Sequence, residues 1–98
     1  MAAAKLFQNK VVTITGGARG IGLATARYLA ERGATVCIAD ILKEDLVKAE
    51  EAIATDFPDI NITHAVVDVS DSDAVDEWIK SVKKEFGKIN GCVNNAGM

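Results

Sequence analysis

The hydrophobic residues of this chain occur in two kinds of segment that alternate along the sequence. Short runs rich in β-branched residues are typical of buried strands, and longer stretches between them carry apolar residues at helical spacing. The four predicted strands span residues 10–15, 35–39, 60–67 and 89–93. A regular alternation of this kind predicts βαβ units with a parallel sheet.

Three helices are predicted between these strands, each with one apolar face. The apolar positions are Ile21, Ala24, Tyr28 and Leu29 in the first helix, Leu42, Leu46, Ala49, Ile53 and Phe57 in the second, and Val75, Trp78, Ile79, Val82 and Phe86 in the third. Gly33, Pro58 and Gly87 are expected to end the helices. Ser70 with Asp73 three residues later has capping-box-like spacing and predicts the start of the third helix.

The order strand, helix, strand, helix, strand, helix, strand favours an α/β fold with three crossovers. By analogy with doubly wound sheets we expect a partial, Rossmann-like parallel sheet with the spatial strand order 3-2-1-4. Internal repeats, low-complexity tracts and linkers are not found in the sequence. We therefore expect residues 1–98 to form a single, partial domain.

Composition narrows the classes of function. The chain has 98 residues, with 11 Lys and Arg against 14 Asp and Glu, for a net charge of −3. Because no basic stretch stands out, nucleic acid and anionic membranes are not expected partners. Apolar runs are far shorter than the roughly 18 residues that a membrane span needs. Residues 1–10 resemble neither a secretion signal nor a transit peptide, so we expect a cytoplasmic protein.

The cysteines and the histidine do not suggest a metal site. Cys37 and Cys92 are far apart in the sequence, and His64 is the only histidine. Both cysteines lie in apolar strand-like runs, where we expect buried, reduced thiols. His64 and Trp78 are expected to be packing residues.

The turn after the first strand is rich in glycine. Residues 15–22 read Thr-Gly-Gly-Ala-Arg-Gly-Ile-Gly, between a predicted buried strand and a predicted helix. A phosphate can bind there, at free backbone N–H groups and the positive end of the helix dipole. A P-loop is not favoured, because Leu23 and Ala24 stand where its Lys and Ser or Thr would be. The G-x-G-x-x-G dinucleotide motif is matched only as a variant.

Asp40 ends the second strand, where an acidic residue can accept hydrogen bonds from an adenosine ribose. Its carboxylate would repel a 2′-phosphate, and Ile41 after it offers no cation, so the pair favours NAD over NADP. Arg19 is evidence against this preference for NAD, because a guanidinium in the glycine turn can contact a 2′-phosphate or simply the pyrophosphate. Each feature also has a structural interpretation: glycines can serve only a tight turn, and Asp40 and Asp68 can be solvated strand ends.

Taken together, the chain resembles the N-terminal part of a short-chain dehydrogenase/reductase. The glycine turn is similar to that family's Thr-Gly-x-x-x-Gly-x-Gly motif, and residues 94–97 are similar to its Asn-Asn-Ala-Gly motif. The resemblance implies an NAD(P)-dependent oxidoreductase that acts on alcohol or carbonyl substrates. It also implies that Thr15 and Asn94 tie neighbouring strands together.

The resemblance further implies which residues contact the cofactor. They are Gly16, Arg19, Gly20, Ile21 and Gly22 around the pyrophosphate and its adjoining ribose, Asp40 at the adenosine ribose, Asp68 and Val69 at adenine, and Asn95, Ala96 and Gly97 along the adenosine side.

The family's catalytic serine and Tyr-x-x-x-Lys pair are absent from this sequence, so no catalytic residue is assigned. The only tyrosine, Tyr28, has Arg32 four positions later and is expected to pack on the apolar face of the first helix. We therefore expect a fragment, a truncated product or a partial gene model that is inactive alone. Two alternatives stay open: a non-catalytic dinucleotide-binding module, and an interaction module that pairs through its fourth strand. For a complete chain the family implies a homo-oligomer.

Overall fold

The computed structural model describes residues 5–95, and they form a four-stranded parallel sheet with three helices. The elements in chain order are β1 (Val11–Thr15), α1 (Gly20–Glu31), β2 (Thr35–Asp40), α2 (Lys43–Asp56), β3 (Ile62–Val66), α3 (Ser72–Phe86) and β4 (Gly91–Asn94). The spatial order is β3-β2-β1-β4, with every neighbouring pair parallel. The predicted fold class and strand order are thus confirmed.

The central strands are the most deeply buried part of the fold. All five residues of β1 are buried, and so are residues 36–39 of β2. In the register, Ile14 of β1 faces Ile38 of β2 on one side and Val93 of β4 on the other. The edge strand β3 is only partly buried. This burial explains why the sequences of β1 and β2 are nearly continuous runs of apolar residues.

Two hydrophobic cores cover the two faces of the sheet. Helices α1 and α2 pack on the first face, where the fully buried large side chains include Ile14, Ile38, Leu46 and Ile53. Helix α3 packs on the second face through residues 78 and 82. Cys37 lies in this second core, and burial raises the pKa of its thiol. In residues 5–95, no helix has the length and apolar character needed to cross a membrane.

The face that α1 turns toward the sheet differs from the predicted one. The helix buries small residues that recur every four positions, namely Gly22, Ala26 and Ala30. Three of the four predicted apolar positions are exposed instead: Ile21, Ala24 and Tyr28. These small residues face the sheet because they let the helix backbone lie close to it. The prediction that Tyr28 packs in the core is wrong; its ring lies under the Arg32 guanidinium, 3.5 Å from ring centre to Cζ.

Two further expectations need correction. Helix α3 is capped by Asp71, whose carboxylate accepts hydrogen bonds from the N–H groups of Asp73 and Ala74, and not by Ser70. An aspartate one position later satisfies the same free N–H groups of the first turn. Cys92 is exposed, because it lies on the edge strand β4, at a part of the second sheet face that no described side chain covers.

Candidate functional site

A cleft of about 550 Å³ lies at the edge of the sheet where the parallel strands end. It is lined by Gly16, Arg19, Gly20, Asp40, Ile41, Val67, Asp68, Val69 and Asn95. These residues come from the segments that follow β1, β3 and β4, from the end of β2 and from the start of α1. Its volume falls in the range typical of small-molecule sites, and the carboxyl edge is where open α/β sheets bind ligands.

The glycine turn forms one wall of the cleft and is folded tightly against β2. The N–H groups of Gly16 and Gly17 both donate to the carbonyl oxygen of Ala39, at 2.8 and 3.2 Å. Gly16 has a φ of 68°, a backbone conformation that favours glycine. A Cβ at Gly17 would lie 2.7 Å from the Cβ of Ile38. Gly16 is therefore favoured by the backbone conformation of the turn, and Gly17 by the close packing of the turn against Ile38.

The N-terminus of α1 faces this cleft without a cap. Arg19 is the N-cap residue, its backbone is extended, and its side chain makes no capping hydrogen bond. The first bond of the helix runs from the N–H of Leu23 to the carbonyl oxygen of Arg19. The N–H groups of residues 20–22 therefore have no acceptor inside the helix. With no acidic residue in the first turn, this helix end is suited to an anion.

Asp40 is half-buried, and it has a structural role at the cleft as well as lining it. One carboxylate oxygen, Oδ2, accepts a hydrogen bond from the N–H of Ala18 at 3.3 Å. The other, Oδ1, accepts from the N–H of Ile41 at 2.7 Å. The carboxylate thus ties the end of β2 to the glycine turn. Sequence reasoning missed this tie, because it joins residues 22 positions apart.

Asp68 is held in place by Ser70. Its Oδ1 accepts hydrogen bonds from the backbone N–H of Ser70 at 2.9 Å and from the Ser70 hydroxyl at 2.7 Å. These bonds, the hydroxyl first, lower the pKa of the Asp68 carboxyl. Asp68 is exposed and both bonds use Oδ1, so Oδ2 remains available to a ligand. The side chain is an ionised hydrogen-bond acceptor near neutral pH.

The end of β4 completes the cleft. The backbone N–H of Asn95 donates to the carbonyl oxygen of Thr15 at 3.2 Å. The side-chain Nδ2 of Asn95 is buried and has no hydrogen-bond partner within residues 5–95. Beside it, the Thr15 hydroxyl lies 3.4 Å from Oδ1 of Asn94 and joins β1 to β4, as the resemblance implied. The buried, unpartnered Asn95 donor marks a place where a ligand acceptor fits.

The structure brings together most of the residues singled out from the sequence. Seven of them line the cleft: Gly16, Arg19, Gly20, Asp40, Asp68, Val69 and Asn95. Ile21 and Gly22 do not line it; Ile21 is 75% exposed, and Gly22 packs against Gly16. Ala96 and Gly97 lie outside the described residues. Val67 was missed, although it ends the apolar run of the predicted third strand.

Two residues outside the cleft have structural roles. Nδ1 of His64 lies 2.8 Å from Oε2 of Glu50, so this half-buried histidine pairs β3 with α2. Asn90, which sequence reasoning did not single out, accepts a hydrogen bond from the N–H of Val11 at 2.8 Å through its side chain. Neither residue reaches the cleft.

Comparison with known proteins decides the family. The family model described as short chain dehydrogenase matches residues 10–98, which is nearly the whole chain. This chain belongs to the short-chain dehydrogenase family. Among curated members, a chanoclavine-I dehydrogenase of Arthroderma benhamiae is 45% identical over 91 residues, which cover 92% of this chain and 37% of that protein. A chanoclavine-I dehydrogenase of Aspergillus fumigatus is 41% identical over 92 residues, 93% of this chain and 35% of its own length.

Solved structures of a dehydrogenase and a reductase superpose closely on this chain. NAD⁺-bound xylitol dehydrogenase has a TM-score of 0.88 and 39% identity, covering 95% of this chain and 35% of that enzyme. L-Sorbose reductase from Gluconobacter frateurii, complexed with NADPH and L-sorbose, also has a TM-score of 0.88, with 33% identity over 100% of this chain and 36% of the reductase. The chain therefore spans about a third of the length of these four proteins.

Proposed function

We propose that residues 1–98 form the cofactor-binding part of an NAD-dependent dehydrogenase, as one partial Rossmann-like domain. The observation that carries the proposal is the cleft at the carboxyl edge of the sheet, into which the uncapped N-terminus of α1 opens beside the carboxylate of Asp40. The bound nicotinamide would supply hydride transfer with an alcohol or carbonyl substrate. The role of this chain is to bind and orient the dinucleotide.

The pyrophosphate fits the start of α1. In this proposal the free backbone N–H groups of residues 20–22 donate to its oxygens, and Gly16 and Arg19 lie around the pyrophosphate and its adjoining ribose. Gly20 supports this arrangement, because a Cβ there would meet nothing within 4 Å and its φ of 57° favours glycine. Ile21 and Gly22 contribute through the backbone, so the exposed side chain of Ile21 and the burial of Gly22 are both compatible with this arrangement.

The adenosine half fits the ends of β2, β3 and β4. We assign Asp40 to the ribose hydroxyls and Asp68, with Val69, to adenine, where the free Oδ2 of Asp68 suits an amino group. The buried Nδ2 of Asn95 supports a ligand acceptor at the end of β4, with Ala96 and Gly97 assigned to the same side.

We further propose that the preferred dinucleotide is NAD. Asp40 and Asp68 give the cleft two carboxylates against the single guanidinium of Arg19 among its described lining residues, and Ile41 adds no cation. A 2′-phosphate at the ribose would meet this negative charge. A cytoplasmic location is part of the proposal, supported by the two free cysteines.

The test is isothermal titration calorimetry of the full chain with NAD⁺, ADP-ribose and nicotinamide mononucleotide. We expect NAD⁺ and ADP-ribose to bind with similar affinity and the mononucleotide not to bind, because the cleft is built for the adenosine half. Asp40→Asn should weaken NAD⁺ binding about tenfold, since a charge-assisted hydrogen bond to the ribose is lost and the tie between β2 and the glycine turn is weakened.

Asp59→Asn is the matched control, because Asp59 lies with Lys5, Gln8 and Gly33 in a separate cavity, away from the cleft. Circular dichroism establishes that each variant is folded. Absence of heat with NAD⁺ at millimolar concentration, or equal weakening by Asp40→Asn and Asp59→Asn, would overturn the proposed site.

A further inference from the structure

Arg19 is the one cation among the described residues that line the cleft. Its side chain is 68% exposed and makes no capping hydrogen bond to α1. A free guanidinium at this place would attract the 2′-phosphate of NADP, since arginine pairs well with phosphate. Whether the charge of Arg19 is free therefore bears directly on the choice of dinucleotide.

The guanidinium of Arg19 is not free in this structure. Its Nε lies 3.8 Å from Oδ2 of Asp45, which belongs to the first turn of α2. Glu44, beside Asp45, adds a second carboxylate to the same turn. The N-terminus of α2 therefore repels anions, whereas that of α1 has no acidic residue in its first turn.

The same two helices carry a second ion pair of the same kind. Arg27 of α1 pairs with Asp56, at the end of α2, and the guanidinium of Arg27 also lies 5.5 Å from the ring centre of Phe57. Both pairs join an arginine near or on α1 to an aspartate on α2. Arg19 is a lining residue of the cleft, and neither member of the Arg27–Asp56 pair is. The second pair thus offers an internal reference for a purely structural helix contact.

We propose that Asp45 is a positioning residue for cofactor choice: it holds and neutralises Arg19, and so disfavours a dinucleotide that carries a 2′-phosphate. This inference rests on the proposed function, because it assumes that the cleft binds the adenosine half of the cofactor. Asp45 acts through Arg19 and does not line the cleft itself.

The experiment compares the Kd values for NADP⁺ and NAD⁺ in the full chain, at low salt. For Asp45→Asn we expect the ratio Kd(NADP⁺)/Kd(NAD⁺) to fall about threefold, the size of effect that one exposed ion pair supports. The fall should shrink at about 0.5 M salt, because exposed charges are screened. Two matched variants serve as references: Glu44→Gln removes the neighbouring charge, and Asp56→Asn breaks the other helix-joining pair.

Both references should leave the ratio within about 1.5-fold of the parent value, which is near the lower limit expected for an exposed pair. In an Arg19→Gln background, Asp45→Asn should no longer change the ratio, because the residue through which it acts is gone. A fall of equal size in Glu44→Gln or Asp56→Asn, or one that persists without Arg19, would overturn the inference while leaving the binding site intact. A folded parent chain that binds neither dinucleotide would overturn the proposed function, and this inference with it.

Discussion

Gly22 is the position at which α1 and the glycine turn approach each other most closely. A Cβ built on Gly22 would lie 2.7 Å from the carbonyl carbon of Gly16 and 3.2 Å from the Cα of Gly17, with the carbonyl oxygen of Gly16 nearer still. Ordinary contacts to a Cβ begin at about 3.4 Å, and the obstructing atoms are backbone, which cannot rotate aside. Gly22→Ala must therefore push the turn away from the helix.

We expect Gly22→Ala to lower the free energy of unfolding by about 3 kcal/mol, at the upper end of the usual cost of overpacking. That is a large part of the roughly 5–15 kcal/mol that holds a domain folded. Gly20→Ala is the matched control, because it adds the same methyl group to the first turn of α1, but into open space. Its cost is limited to the positive φ, about 1 kcal/mol.

The assay is urea unfolding followed by far-UV circular dichroism, with both variants and the parent chain fitted to a two-state transition. An equal m-value in all three would show that the change lies in stability and not in the extent of unfolding. If Gly22→Ala proved no less stable than Gly20→Ala, the reasoning that the turn and the helix need a glycine for close approach would be refuted.

Two further predictions concern the segment between β3 and α3. Asp71→Ala should cost about 1 kcal/mol of unfolding free energy in the same urea assay, because the first turn of α3 loses its cap, whereas Ser70→Ala should cost clearly less. Ser70→Ala should instead raise the pKa of Asp68 toward that of an ordinary aspartate, measured by carboxyl ¹³C NMR titration. Since the folded-state pKa of Asp68 is lowered, the parent chain should lose this small contribution to stability as pH falls through that pKa. Ser70→Ala should lose less, because only the backbone N–H bond of residue 70 remains.

The elements and their order could be predicted because parallel strands buried on both faces leave a strong pattern. The runs at β1 and β2 are apolar throughout, and the glycine turn between β1 and α1 marks the switch from strand to helix. The predicted bounds of the edge strands were less accurate: β3 begins at Ile62 and not at residue 60, and β4 begins at Gly91 and not at residue 89. Their partial burial weakens the pattern that sets the ends.

The orientation of α1 could not be predicted from hydrophobicity, because close packing depends on size as well as polarity. Gly22, Ala26 and Ala30 face the sheet since they are small, although a hydrophobicity scale ranks all three below the exposed Ile21. Hydrogen bonds between segments distant in sequence could not be predicted either. The bond from the N–H of Ala18 to Asp40 joins residues 22 positions apart, a distance at which sequence spacing carries no signal.

The double bonding of Asp40 also has a consequence for cofactor engineering. Its carboxylate accepts hydrogen bonds from the N–H groups of Ala18 in the glycine turn and of Ile41. In the proposed binding mode, a substitution of Asp40 would change the contact to the ribose and would also loosen the turn that holds the pyrophosphate, so its effect on binding would have two causes. Attempts to change dinucleotide preference should therefore begin at Ile41, just before α2, or at Asp45 in its first turn. Asp40 should be kept, because it holds the glycine turn in place.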